Sequence, residues 1–168
     1  MADARYWISK LGLVPHGEGG WYSETYRSSD RLPLVSLPMG YTGSRPCSTA
    51  IYFLLTGSAP SRFHRLRSDE VWHFYDGTGL TLHLLHADGK YTCAAVGRRP
   101  ERGEQFQVTV PRGIWMAGEV QEPGGFALVG CTVAPGFEQD DFELGARADL
   151  LAKYPDYHEI IARLTLPG

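Results

Sequence analysis

Apolar and polar positions alternate with a period of two through most of the middle of the chain, and glycine or proline breaks the alternation every few residues. Residues 21–27 set Tyr22, Glu24 and Tyr26 on one face and Trp21, Ser23, Thr25 and Arg27 on the other, which predicts a strand. Residues 48–55 form an apolar run ended by Gly57 and Pro60, the mark of a buried strand. Residues 61–66 and 70–75 are predicted to form a hairpin turning at Arg67-Ser68-Asp69, and Asp88-Gly89 a tight turn between 80–85 and 91–96. Residues 105–110 alternate cleanly up to Pro111, Gly113 turns the chain into 114–117, and Gly124-Gly125 precedes a last strand over 126–133. These make about nine strands with no helix long enough for parallel crossovers, so an all-β antiparallel barrel or sandwich is expected.

The ends have a different period. Residues 3–11 carry Tyr6 or Trp7, Ile8 and Leu11 at helical spacing, with Gly12 as a stop. Residues 144–153 and 156–164 are two amphipathic helical segments parted by Pro155. Residues 28–46, with three prolines and two glycines, predict an irregular excursion of the kind that serves as a lid or an interface.

Composition narrows the classes. At 168 residues the chain suits one domain, 1–168, able to bury its own core. A net charge of −3 provides no basic footprint for nucleic acid. No apolar run nears the roughly 20 residues of a membrane span, and the first residues lack a signal-peptide pattern. Cys47, Cys93 and Cys131 are odd in number and far apart, which favours buried reduced thiols and a cytoplasmic protein.

Candidate chemistry concentrates between Ser61 and Gly77. A turn at 67–69 brings His64 and Glu70 close, and alternation carries Trp72 and Phe74 to the side of Glu70. An imidazole and a carboxyl under aromatic walls suit acid/base work, because an apolar site lifts a carboxyl pKa towards neutrality. The same two groups are also the beginning of a metal site, or a buried pair that orders the fold. An inward Arg27 would favour an anionic ligand; Tyr26 alternates with it, so one of the two faces in. His73 falls on the opposite face and reads as structural, Ser61 has no nucleophile elbow, and the glycines around His16 do not form a phosphate loop.

His64, Glu70 and Gly77 resemble the first cupin motif, H-x-H-x-x-x-E followed by glycine, and Pro111, Gly113 and Met116 resemble the second, P-x-G-x-x-H. Leu66 and Met116 stand at two of the four positions where a metal-binding cupin has ligands. A longer likeness, through Leu11 to Tyr22, Glu24 to Ser28, Ser48 to Leu55, Ser68 to Gly77, Val110 to Trp115 and Gly130 to Phe137, resembles the fifth cupin group. It implies an antiparallel jelly roll, a homodimer and a ligand-sized cavity. By fold it is similar to keto-sugar-nucleotide epimerases, which work without a metal.

The expectation is therefore a jelly-roll barrel with a short N-terminal helix and a C-terminal helical tail, holding a small-molecule ligand. No metal, cofactor, nucleic acid or membrane is called for. His64 is the expected base and Glu70 the acid or orienting group, in a metal-independent isomerase or epimerase acting on a small polar or sugar-type molecule. Tyr26, Arg27, Tyr52, Trp72, Phe74, Trp115 and Met116 are the expected ligand-binding residues; whether Met116 lines the pocket or fills the core stays open. The alternatives are a non-catalytic binding or sensing module and a metal-dependent cupin with a partial ligand set.

Overall fold

The computed structural model describes residues 3–167. Two six-stranded sheets face each other. The first runs in the order β1 (Val14–Pro15), β2 (Trp21–Arg27), β5 (Thr49–Thr56), β13 (Phe126–Ala134), β7 (Asp69–Gly77), β11 (Gln107–Val110). The second runs β10 (Glu104–Gln105), β9 (Tyr91–Val96), β8 (Leu80–Leu85), β12 (Trp115–Val120), β6 (Ser61–Leu66), β14 (Phe142–Leu144). A small ribbon of β3 (Arg31–Leu32) and β4 (Arg45–Pro46) organises the predicted excursion. All pairings are antiparallel except β9 with β10.

The hairpin expected at 61–75 does not form. β6 pairs with β12 and β14, while β7 pairs with β13 and β11, so the turn at Arg67-Ser68 carries the chain from one sheet to the other. The same happens between β11 and β12, and residue 106 splits the expected strand 105–110 across the two sheets. Alternation tells which face a residue takes; it does not tell which strand completes the backbone hydrogen bonds. Crossing between sheets at successive turns is what makes this sandwich a jelly roll.

Three apolar layers follow. Phe53, Leu55, Trp72, Leu82, Val110, Met116 and Val129 fill one end of the space between the sheets. Helix α1 (Ala4–Leu11), capped by Asp3 accepting the Tyr6 amide at 2.8 Å, lies against Leu54 and Leu128 on the outside of the first sheet. Helices α2 (Arg147–Lys153) and α3 (His158–Arg163) cover Phe63, Leu85 and Trp115 on the outside of the second. Leu144, expected to open a helix, instead pairs with His64 at the end of β14. The three cysteines are unpaired, and only Cys131 is buried; Cys93 points out from β9 and departs from the expected buried thiol. No helix among the described residues is long and apolar enough to cross a membrane.

Candidate functional site

The other end of the sandwich is polar and partly empty. A cavity of about 210 Å³ opens between the sheets, lined by His64 and Leu66 of β6, Glu70 of β7, Cys131 of β13 and Tyr22, Glu24 and Arg27 of β2. His16 and Glu18 reach it from the turn between β1 and β2, and Phe142 from β14. The turn fits because two of its residues are glycine. Gly19 and Gly20 have φ of 119° and 70°, and a Cβ on either would lie 2.0 Å from the Pro60 carbonyl oxygen or 2.6 Å from that of Leu54. The backbone thus lies flat on the barrel end and drives Glu18 inside, where it is 4% exposed.

Glu18 is held by the Ser61 hydroxyl, which donates to Oε1 at 2.6 Å, and its Oε2 lies 3.2 Å from His64 Nε2. His64 Nδ1 meets the Arg62 carbonyl oxygen at 2.8 Å. A carbonyl only accepts, so Nδ1 carries the proton, and in neutral His64 the lone pair sits on Nε2, facing Glu18. His16 is read the same way: the Glu18 amide donates to its Nδ1 at 3.3 Å, which leaves that nitrogen unprotonated. Glu70 enters from the facing sheet, where the Trp72 indole N–H donates to its Oε2 at 2.9 Å. Phe142 stacks on the His64 ring, with centroids 5.5 Å apart.

Burial dominates the titration of all three central groups. It pushes Glu18 up to about 7, against the pull of His16 and Ser61. It pushes Glu70 up to about 7 as well, against His64 and with Glu18 adding to the rise. It draws His64 below its ordinary value, although the Glu70 charge opposes this. Near neutrality the favoured form of the Glu18–His64 pair is therefore uncharged, with Glu18 donating to Nε2. The proton rests on Glu18, because burial raises the carboxyl and lowers the imidazole.

His64, Glu70 and Arg27 converge on the cavity; the other expected site residues do not line it. Trp72 is 1% exposed and stands behind Glu70, orienting it, and Phe74 is only partly buried, packed against the core from its edge. Met116, opposite His64 on β12, is buried core. Trp115 faces the other way, under the Arg65 guanidinium at 4.5 Å and against the C-terminal helices. Tyr52 lies on the outer face of β5, edge-on to Tyr75. Tyr26 is 54% exposed because a bulge between Glu24 and Tyr26 breaks the alternation of β2 and brings Arg27 to the mouth. The Arg27 guanidinium is occupied there, bonded to Glu24 at 3.0 and 2.8 Å and to Glu138 at 3.3 Å. Sequence reasoning missed His16 and Glu18; their signal was a histidine and an acid two apart among three glycines, too tight for a solvated loop to need.

Residues 5–145 match the model of the cupin superfamily (DUF985). The chain belongs to that family. It is similar to protein SO0799 of Shewanella oneidensis, with 38% identity, full coverage of both chains and a TM-score of 0.89. It is 32% identical over 144 residues to the uncharacterized protein YML079W of Saccharomyces cerevisiae, covering 80% of this chain and 71% of the relative. Oxalate decarboxylase of Bacillus subtilis shares the fold alone, at 16% identity and a TM-score of 0.53, over 92% of this chain and 40% of that one.

The metal that many cupins hold does not fit this donor set. Leu66 and Met116 present a hydrocarbon and a thioether where the family pattern places imidazoles. His64 Nε2 is already engaged by Glu18, and among the described residues no three His, Cys, Asp or Glu side chains are grouped to hold an ion.

Proposed function

We propose that this cupin is a metal-independent enzyme that moves a proton on a small polar, sugar-type molecule held in the cavity, as an isomerase or epimerase does. The observation that carries the reading is His64 between two buried carboxyls, each held near 7, on the wall of one cavity. Groups poised near the working pH are the efficient ones for general acid/base catalysis. His64 Nε2 takes the proton from carbon next to a substrate carbonyl, once Glu18 yields its place. Glu70, protonated, donates to the carbonyl oxygen, and the resulting enediol is reprotonated at the neighbouring carbon or on the other face. Trp72 positions Glu70, Ser61 positions Glu18, and Phe53, Phe137 and Phe142 keep water out. The test is carbon-bound hydrogen exchange in D2O, followed by NMR over a panel of aldoses, ketoses and their phosphates. One or more should exchange, and His64→Ala should abolish exchange while keeping appreciable binding.

One observation favours a second reading, a non-catalytic binding module: Glu18 already satisfies Nε2, as it would in a fixed anchor. In that case no compound exchanges and His64→Ala removes binding outright. The family likeness also supports a homodimer. Val35 and Met39 of the excursion stand almost fully exposed, and a second copy is the occupant proposed to cover them. Light scattering at micromolar concentration should return twice the chain mass.

A further inference from the structure

The cavity has a neighbour that proton transfer leaves unused. Beyond Leu66 and Phe142, which line both, lies an open groove of about 640 Å³ carrying Arg65, Arg67 and Arg112. Arg65 is committed to Glu143 at 2.8 Å, and the buried Arg45 holds Asp141 of the groove wall with both its Nε and an Nη. Arg67 and Arg112 differ. Arg67 is half exposed, and its nearest carboxylate is Asp141, 3.8 Å away and already bonded twice. The Arg112 guanidinium is exposed and has no hydrogen-bond or ion-pair partner among the described residues.

Their backbones, by contrast, are tied down. The Gly113 amide donates to the Leu66 carbonyl at 2.8 Å, the Arg112 amide to Asp69 at 2.8 Å, and the Tyr41 hydroxyl to the Arg67 carbonyl at 2.8 Å. Arg112, unpartnered, and Arg67, held only by a long ion pair, thus line one groove on fixed bases; of the acids nearby, Asp140, 3.5 Å from the Thr42 hydroxyl, and Asp69, bonded to the Arg112 amide, pair with no arginine side chain. Size points the same way. At about 210 Å³ the cavity is below the ~300 Å³ at which ligand pockets begin, so it suits one end of a ligand rather than the whole.

We propose that Arg67 and Arg112 bind the phosphate group of a phosphorylated small polar molecule, whose neutral end passes Phe142 into the cavity. The assignment of the neutral end rests on the proton-transfer reading; the anion site itself does not. Guanidinium forks match phosphate oxygens two at a time, and Arg27, the other arginine near the cavity, is spent on Glu24 and Glu138.

The experiment is calorimetric titration of the full chain with inorganic phosphate and with pyrophosphate. Saturable binding to one site per chain is expected, weakening with salt. Arg67→Gln and Arg112→Gln should each raise Kd about tenfold or more. His64→Ala, and Arg102→Gln at an exposed arginine outside the groove, should leave it unchanged. Amide shifts on adding phosphate should cluster around Arg67 and Gly113, a check that needs no substitution. Absence of saturable binding would overturn the proposal, as would binding indifferent to both groove substitutions or weakened equally by Arg102→Gln. Neither probe reacts, so failure here leaves the acid/base reading standing, and a silent exchange assay leaves the anion site standing.

Discussion

Replacing Glu70 by glutamine should change how stability depends on pH, by an amount the burial of Glu70 sets. In the folded protein its pKa is lifted from 4.5 to about 7. Between those values the unfolded chain has released the proton while the folded chain keeps it, so this group's contribution is fully present below pH 4.5. It falls as pH rises towards 7 and then levels off. At 1.36 kcal/mol per pH unit, the loss across that interval is about 3 kcal/mol. Glutamine has nothing to lose: its carbonyl still accepts the Trp72 indole N–H and it carries no ionisable proton. Glu18 shifts in the same direction as Glu70 and His64 in the opposite one, but both are present in either protein and cancel to first order. Urea unfolding of both proteins at pH 4.5, 6 and 8, at constant ionic strength, reads the difference. The variant should gain about 3 kcal/mol on the parent between the extremes. A difference between the two that stays constant with pH to within about 0.5 kcal/mol would refute the reasoning, since it would mean that Glu70 titrates as a solvated acid.

Gly19→Ala should destabilise by about 2–4 kcal/mol, because the new Cβ meets the Pro60 carbonyl in a backbone conformation that disfavours any side chain; thermal melts measure it. The same variant should disturb the cavity, since that turn delivers Glu18. Trp115→Ala should lower stability by about 3–5 kcal/mol through the outer cluster while leaving ligand affinity at the cavity unchanged. A selective loss of binding there would contradict the outward orientation of Trp115.

Fold class was readable because turn residues and a period of two recur regardless of which strands pair. Pairing was not readable. Residues 61–66 and 70–75 have the local look of a hairpin, yet β6 finds its partners in β12 and β14, some fifty and eighty residues on. His64 and Glu70 were rightly brought together for a partly wrong reason: they meet across the gap between sheets rather than along one. Tyr26 was lost to a single bulge, and Tyr52 and Trp115 to strands covered on both faces, where an apolar run hides which parity points in. Glu18 was hidden differently. Its burial depends on Gly19 and Gly20 packing against Pro60 and Leu54, a contact across forty residues that no local pattern announces.

That hidden residue explains the departures that were visible. In the cupin pattern the imidazole at the His64 position gives a nitrogen to a metal, supported by ligands at the positions of Leu66 and Met116. Here the same nitrogen meets the Glu18 carboxyl at 3.2 Å, and the two supporting positions contribute Leu66 to the cavity wall and Met116 to the core. A protonated carboxyl offers Nε2 what a cation would, a positive partner for its lone pair, but one that a buried site can hold without net charge. Hydrocarbon around the site then becomes an advantage, since it keeps Glu18 and Glu70 protonated near neutrality. Leu66, Met116 and Glu18 are therefore parts of one arrangement, in which a carboxyl meets the imidazole nitrogen that the cupin pattern gives to a metal.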